Sequence, residues 1–307
     1  MKKILFLLSF SIAFTSCNNE PLDPDFAIGT EDPTIPVDPG TGSDDLTLAT
    51  YSYNVAAQVP LFGTINTDSN FTFTNGKASG ITTVTTFFGV TSTTQTTIIT
   101  NALGNVTALQ SYEGSTLTNE TIITYDGQNI SQIVYNFIED DADDYTYTFT
   151  YNGNIVTRTD ADNGLTTTFE FDGNTNLIRK ETFEDSLSIQ AETLTYTTGG
   201  NCAESIMTGE TNTTSTYAYD TATNPLKQGF INQYMLSFLN DDYDAQAGSI
   251  VAQFHGANNW IATTTAEGTF EFTINYIATD RISTKNSFYD LGEDTTVTQS
   301  EVFNYIN

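Results

Sequence analysis

Residues 145–178 read YTYTFTYNGNIVTRTDADNGLTTTFEFDGNTNLI. Tyr145, Tyr147, Phe149 and Tyr151 alternate with Thr146, Thr148 and Thr150. A period of two puts all four rings on one face of a strand, where a helix would scatter them around its circumference. The ladder runs into Tyr151-Asn152-Gly153-Asn154, and a second ladder runs into Phe171-Asp172-Gly173-Asn174. Asn-Gly and Asp-Gly supply the positive φ angles of a type I′ hairpin turn, whose twist matches its strands. Gly153 and Gly173 are therefore both expected at positive φ, each in a two-residue loop.

Working outward, the phrase recurs. Phe73-Thr-Asn75-Gly76 comes first, then Asn101-Ala-Leu-Gly104-Asn105-Val106-Thr, then Tyr125-Asp126-Gly127. After the two opening examples come a degenerate Tyr196-Thr-Thr-Gly199-Gly200-Asn201 and Tyr219-Asp220, which leads to Asn224-Pro225. The aromatic positions 125, 151, 171, 196 and 219 are 26, 20, 25 and 23 residues apart. Each unit is a strand, a tight turn, a return strand and a looser connection. Threonine, β-branched and suited to strands, fills 56 of the 307 positions. The fold class is all-β. Residues 47–307 are expected to form one long antiparallel meander of about 16–20 strands, curled into an open or closed barrel-like sheet. Ile231, Tyr234, Met235, Phe238 and Leu239 interrupt this pattern with an amphipathic helical stripe. One or two short helices are expected near 228–255.

The N-terminus has a different grammar. Lys2 and Lys3 precede an apolar run of eleven residues, Ile4 to Phe14. That run is too short for a stop-transfer helix, so residues 1–16 read as a signal peptide. It ends Phe14-Thr15-Ser16-Cys17, which resembles a bacterial lipobox with Phe14 where leucine is usual. The resemblance implies a lipid on Cys17, a membrane partner reached through it, and an outer-membrane location on the periplasmic or cell-surface side. Residues 17–46 read as a disordered tether. Five of the seven prolines lie there, Pro21, Pro24, Pro33, Pro36 and Pro39, with eight acids and no base. Glu20, Asp23 and Asp25 resemble the acidic stretch that marks surface export in some Gram-negative lipoproteins.

The phrase Asn101-Ala-Leu-Gly-Asn-Val-Thr and the Tyr/Phe-Asp-Gly and Tyr-Asp turns resemble the YD repeats of rearrangement-hotspot proteins. Together with the lipobox, the tether and Tyr219-Asp220-x3-Asn224-Pro225-Leu226-Lys227, they resemble more closely a lipoprotein family whose domain of unknown function has a porin-like fold. The resemblance spans about residues 65–307. It implies a curled meander and no catalytic residue.

Composition narrows the function classes. The chain has 9 basic and 38 acidic residues, a formal net charge of −29. Such a field repels nucleic acid and leaves weak divalent-cation binding as an expectation. Four acidic stretches are candidate loops: Asp160-Ala-Asp162-Asn163-Gly164, Asp172-Gly-Asn174-Thr-Asn176, Glu139 to Asp144, and Asp241-Asp242-Tyr-Asp244. None has the ligand spacing of a calcium loop, and solvated hairpin tips are the plainer reading. His255, the only histidine, lies outside any zinc or nucleophile-elbow pattern and is expected to be structural or exposed. Cys202, the second of two cysteines, is expected to be a small buried residue with no disulfide. Trp260 beside Asn258 and Asn259 is the one candidate platform for a sugar ring. No catalytic residue, metal ligand or cofactor is expected. The leading reading is a non-enzymatic, lipid-anchored envelope protein that binds a glycan or protein ligand or serves as structure. A surface glycan-binding lipoprotein, a transmembrane β-barrel and a hydrolase are the rivals.

Overall fold

The computed structural model describes residues 46–59, 63–277, 280–290 and 295–306. The signal peptide 1–16, Cys17 and the tether up to residue 45 lie outside the described residues. Among the described residues, nineteen strands form one antiparallel sheet. They run from β1 (Thr47–Val59) through β2 (Gly63–Thr74) and β3 (Lys77–Phe87) to β19 (Thr296–Ile306). Each strand ladders with the next, and β1 pairs with both β2 and β19, which brings the two ends of the meander together. One seam departs from the pattern. β16 (Gly268–Glu271) ladders with β15 (Asn258–Thr265), while β17 (Thr273–Tyr276), one residue further on, ladders with β18 (Ile282–Asp290). The sheet is thus nearly closed into a barrel, as the meander reading expected.

Alternation decides which face is which. On β8 (Tyr145–Asn152), Tyr147 and Phe149 are buried while Thr148 and Thr150 are exposed. β12 (Leu187–Tyr196) exposes Thr193 and Thr195, and β14 (Thr213–Thr223) exposes Thr214 and Thr216. The buried side chains of Tyr51, Phe71, Ile133, Phe169 and Leu177 share one core with buried residues of the segment between β14 and β15, among them Leu226, Phe230, Phe238, Leu239 and Val251. This insertion is the core's second layer. Where the wall's inner face carries hydroxyls, they bond across adjacent strands: Ser69 with Thr83 at 3.2 Å, Thr96 with Ser111 at 2.9 Å, and Thr167 with Thr182 at 2.9 Å. Such pairs remove the desolvation penalty of a buried hydroxyl.

The turns correct the sequence reading in detail. Asn75 and Gly76 have φ 52° and 71° between the paired Thr74 and Lys77, so this hairpin carries the expected type I′ pattern. Gly153 is also at positive φ, 62°, in a two-residue loop closed by Asn152 and Ile155. However, it is the first central residue and Asn154 is not left-handed, which is the type II′ arrangement. Gly173 departs altogether. Its loop is five residues long: the Asp172 N–H donates to Asn176 O at 2.9 Å and the Thr175 N–H donates to Asp172 O at 3.0 Å. The positive φ, 65°, falls on Thr175, and Gly173 has none. The same hydrogen-bond frame holds Asn101–Asn105 and Thr197–Asn201, with Gly104 at 84° and Gly200 at 82° in the fourth place. Asp172 caps the frame by accepting from the N–H groups of Asn174 and Asn176 at 2.8 and 2.9 Å, and Asn101 does likewise for Leu103 and Asn105. In Thr197–Asn201 the Thr197 hydroxyl at the first place accepts from the Asn201 N–H at 3.3 Å, so each of the three frames is tied by its first side chain.

The tyrosines of the phrase have a reason of their own. The hydroxyls of Tyr125, Tyr151, Tyr196 and Tyr305 donate to the carbonyls of Val106, Ile130, Leu177 and Ile282 at 2.8, 2.9, 2.8 and 2.8 Å. Every acceptor is the first or second residue of the preceding strand. A ring half-buried on the core with its hydroxyl on a strand-end carbonyl is a job that only tyrosine does.

The helical insertion is more broken than expected. It contains Pro225–Gly229, Leu236–Leu239 and Ala247–Ile250, and the last runs into a π-helical turn, Val251–His255. Of the predicted stripe, Phe238 and Leu239 are buried, whereas Ile231 is exposed because it falls in a separate short turn, Ile231–Gln233.

Candidate functional site

The buried charged side chains of Arg158, Lys180, Glu192, Lys285 and Glu301 organise the barrel's interior. Arg158 on β9 (Ile155–Asp160) lies 4.4 Å from the centre of the Tyr147 ring and is almost wholly buried. It donates to the carbonyls of Leu239 and Asp241 at 3.1 and 2.6 Å. Lys180 on β11 (Leu177–Glu184) donates to the carbonyls of Asp242 and Ala245 at 2.6 and 2.9 Å. Arg158 thus meets the last carbonyl of the helix Leu236–Leu239, and Lys180 binds carbonyls of the loop that follows it. Glu192 on β12 does the converse. It accepts from the N–H groups of Ala247 and Gly248 at 2.7 and 2.9 Å, at the start of the next helix, and from Ser205 Oγ at 2.5 Å. The wall thus holds the insertion at both ends of its middle turn. Burial holds the Lys180 amine below its ordinary range, with nearby carboxylates opposing. Burial also pushes Asp241 up to about 6.

A second centre lies on β18, β19 and β1. Lys285 and Glu301 are cross-strand partners, with Nζ 3.2 Å from Oε1 and both side chains buried. Lys285 Nζ also donates to Gln253 Oε1 at 2.5 Å. It stands over two aromatic rings, 4.1 Å from the centre of Phe272 and 4.7 Å from that of Trp260. Gln253 Nε2 donates to Glu301 Oε2 at 2.7 Å and to the Tyr51 hydroxyl at 3.0 Å, and that hydroxyl donates to Glu301 Oε2 at 2.8 Å. Gln299 completes the carboxylate's shell at 2.8 Å. Burial holds the lysine amine below its usual range, with Glu301 opposing. Burial and the Glu301 charge push the Tyr51 hydroxyl well above its own range. A cavity of about 10 Å³ adjoins these groups, bounded among others by Asn224, Gln253, Asn259, Trp260, Lys285 and Glu301. That volume holds about one water and is far below a small-molecule pocket.

The residues singled out in the sequence fall elsewhere. Trp260 is buried and its Nε1 donates to Ala262 O at 2.8 Å. Asn259 is bound by Asp220 at 2.9 Å and Asn258 by Asn201 at 2.9 Å. This overturns the sugar-platform candidate, because ring and amides are spent on the core. His255 is buried, with Nε2 3.2 Å from Ser237 Oγ. Burial, aided by Lys227, pushes it down to about 3, so the ring is neutral at ordinary pH. Ser237 also donates to the Gln233 carbonyl at 2.9 Å, and no carboxylate bonds His255 among the described residues. Cys202 is buried and free, its thiol pushed up to about 12 by burial. The acidic loops serve their own backbones. Asp160 accepts from the N–H groups of Asp162 and Asn163, and Asp140 from that of Ala142. No group of three acidic, histidine or cysteine side chains stands ready to hold a metal among the described residues.

Sequence reasoning missed Arg158, Lys180, Glu192, Lys285 and Glu301. Strand parity was the available signal: Arg158 lies two residues from Val156, and Glu301 two from Phe303, all on the buried face.

No protein-family model matches the chain, and no curated protein sequence does. Among solved structures, the chain is similar to a porin-like protein from Bacteroides uniformis, with TM-score 0.45 and 14% identity over 84% of this chain and 96% of that one. It is similar also to a porin-like protein from Bacteroides vulgatus, with TM-score 0.34 and 7% identity over 85% and 99%. A TcdB2-TccC3 structure follows with TM-score 0.29 and 12% identity, over 80% of this chain and 17% of that one.

Proposed function

We propose that the chain is a non-enzymatic cell-envelope protein, lipid-anchored at Cys17 through the tether 17–46, whose barrel is a filled scaffold that meets its partners on outer surfaces. The filled interior carries this reading. The buried side chains of the insertion pack against the wall's inner face, and the cavity beside Trp260, Lys285 and Glu301 has room for about one water, so recognition is assigned to the wall's outer face and the rims. The neutral His255 and the backbone-bound Ser237 argue against a hydrolase. The outer face argues against a transmembrane barrel. Such a barrel needs a continuous apolar outward band, and here exposed threonines such as Thr148, Thr150, Thr193 and Thr195, and Arg179 paired to Glu181 at 2.8 Å, stand among exposed apolar residues such as Ile122, Ile206 and Val302. The net charge of −29 favours cationic or neutral partners over nucleic acid.

Membrane fractionation of Cys17→Ser tests the reading. Acyl chains contribute about 0.8 kcal/mol per buried methylene, and two or more together anchor stably. The variant is expected in the soluble fraction while the wild type sediments with membranes. A variant that still sediments would favour the transmembrane barrel.

A further inference from the structure

We propose that Lys285 Nζ and the side-chain carbonyl carbon of Gln253 become joined by an intramolecular isopeptide bond, with Glu301 as the acid–base group. The parts required are a buried amine, an acceptor with a leaving group, and a carboxylate that touches both. All three are present. Lys285 Nζ lies 2.5 Å from the acceptor's oxygen and 3.2 Å from Glu301 Oε1. The other carboxylate oxygen, Oε2, lies 2.7 Å from the amide nitrogen that would leave. Tyr51 and Gln299 fix the carboxylate from two further sides.

The step balances. Glu301 takes a proton from the lysine ammonium, leaving a neutral amine among the rings of Trp260 and Phe272. The amine's lone pair forms the new C–N bond at the Gln253 carbonyl carbon. Glu301 gives its proton to the departing nitrogen, the old C–N bond breaks, and ammonia leaves. The second lysine proton ends on Glu301. An ammonium, a carboxylate and a primary amide become a secondary amide, a carboxylic acid and ammonia. No oxidant or co-reactant is consumed. Burial favours the direction of change, since a buried ion pair gives way to neutral groups. The low-lying amine of Lys285 starts the sequence partly prepared. The adjoining cavity of about 10 Å³ matches the size of one departing ammonia.

Two further observations single out this lysine. Gln253 sits in the π-helical turn Val251–His255, a rare local geometry that recurs at functional sites. Lys180 is also buried and also faces a glutamate across the strand, Glu192. It touches only backbone carbonyls, and Glu192 is committed to the N–H groups of Ala247 and Gly248. Lys180 therefore serves as an internal control. The link would close a loop of 32 residues and act as a disulfide does, in a barrel whose one described cysteine is free.

Peptide mapping of the full chain decides the matter. The protein is denatured and cut after lysine and arginine. The expected product is segment 228–281, which contains Gln253, joined to segment 282–307, uncut at Lys285, with a mass one ammonia below their sum. Lys180 is cleaved normally. Glu301→Gln, which keeps the side chain's shape and removes its proton transfer, is expected to give separate segments 228–281, 282–285 and 286–307. Recovery of those three at unmodified mass from the wild type would overturn the proposal, and that result does not depend on any variant folding. A branched product from Glu301→Gln would remove the carboxylate from the mechanism and overturn it in that form.

Discussion

Strand β8 is held to β9 by a turn of two residues, and their ladder joins residues no more than 13 apart, Tyr147 to Asp160. The stretch from Leu239 to Gly248 is held by side chains 55 to 83 positions away in sequence, those of Arg158, Lys180 and Glu192. The wall is a chain of local agreements, each hairpin complete in its own letters. The insertion has almost no such agreement. Its helices of four and five residues are too short to persist alone. The wall supplies charged groups to the end of Leu236–Leu239 and to the start of Ala247–Ile250, while Pro225–Gly229 is capped by its own neighbour Asn224. The difference teaches that one chain uses two logics: repetition for the shell, and individually placed buried charges for the filling.

The contrast should show most strongly in Arg158→Ala. Two insertion carbonyls lose a charged donor, and the site keeps a void between Tyr147 and Phe169. A loss of about 3–5 kcal/mol is expected by chemical denaturation. Proteolysis should then find residues 239–247 before any strand. Cleavage first in the wall would mean that the two layers are not separable in this way.

Next is a pair of substitutions within the wall. Gly153→Val places a β-branched residue at φ 62° and should cost on the order of 1–3 kcal/mol. Hydrogen exchange should loosen mainly in the mutated hairpin and its neighbours, since near-neighbour contacts transmit little. Gly173→Val, in the look-alike phrase, should leave the melting temperature nearly unchanged, because that residue has ordinary φ and open space. Equal losses at both sites would contradict the two loop geometries.

Protonation tests the insertion again. His255 lies at about 3 when folded and near 6.5 when unfolded. As pH falls below 6.5 the unfolded chain takes up a proton that the folded chain refuses, so this residue's contribution to stability declines. Asp241 acts oppositely: at about 6 when folded against 3.8 when unfolded, it gains stability as pH falls through 6. The stability difference between wild type and His255→Gln isolates the histidine. It should shrink by about 1.4 kcal/mol for each pH unit below 6.5. A difference independent of pH would show that the ring is open to water.

The smallest effect is expected from Tyr151→Phe. It removes the hydroxyl from Ile130 O and leaves the ring in place. The cost should be about 1 kcal/mol, read from thermal melts. A loss several times larger would mean that the tyrosine bonds act as a connected set around the rim.

Much of the wall was legible. Period-two alternation at Tyr145 to Tyr151 names the buried face because a strand's side chains alternate strictly, and Asn75-Gly76 names its turn because few residues tolerate φ > 0. Gly173 misled because the letters Asp-Gly do not reveal the loop's length. That was decided by Asp172 and Asn176, which close a five-residue frame through one carboxylate. Trp260 misled because exposure is a property of the whole sheet, and the one tryptophan faces inward beside Lys285.

The sequence by itself determined the class of fold, the alternation of its faces and the rhythm of its hairpins. All of these depend on backbone sterics and on neighbours a few residues apart. Only the tertiary structure decided that β1 meets β19, that Arg158, Lys180 and Glu192 grip the insertion, and that Lys285, Gln253 and Glu301 share one buried centre. The physical reason is distance along the chain. A buried charge is stable only where closure of the sheet delivers its partner, and no local pattern encodes a partner that lies tens of residues away.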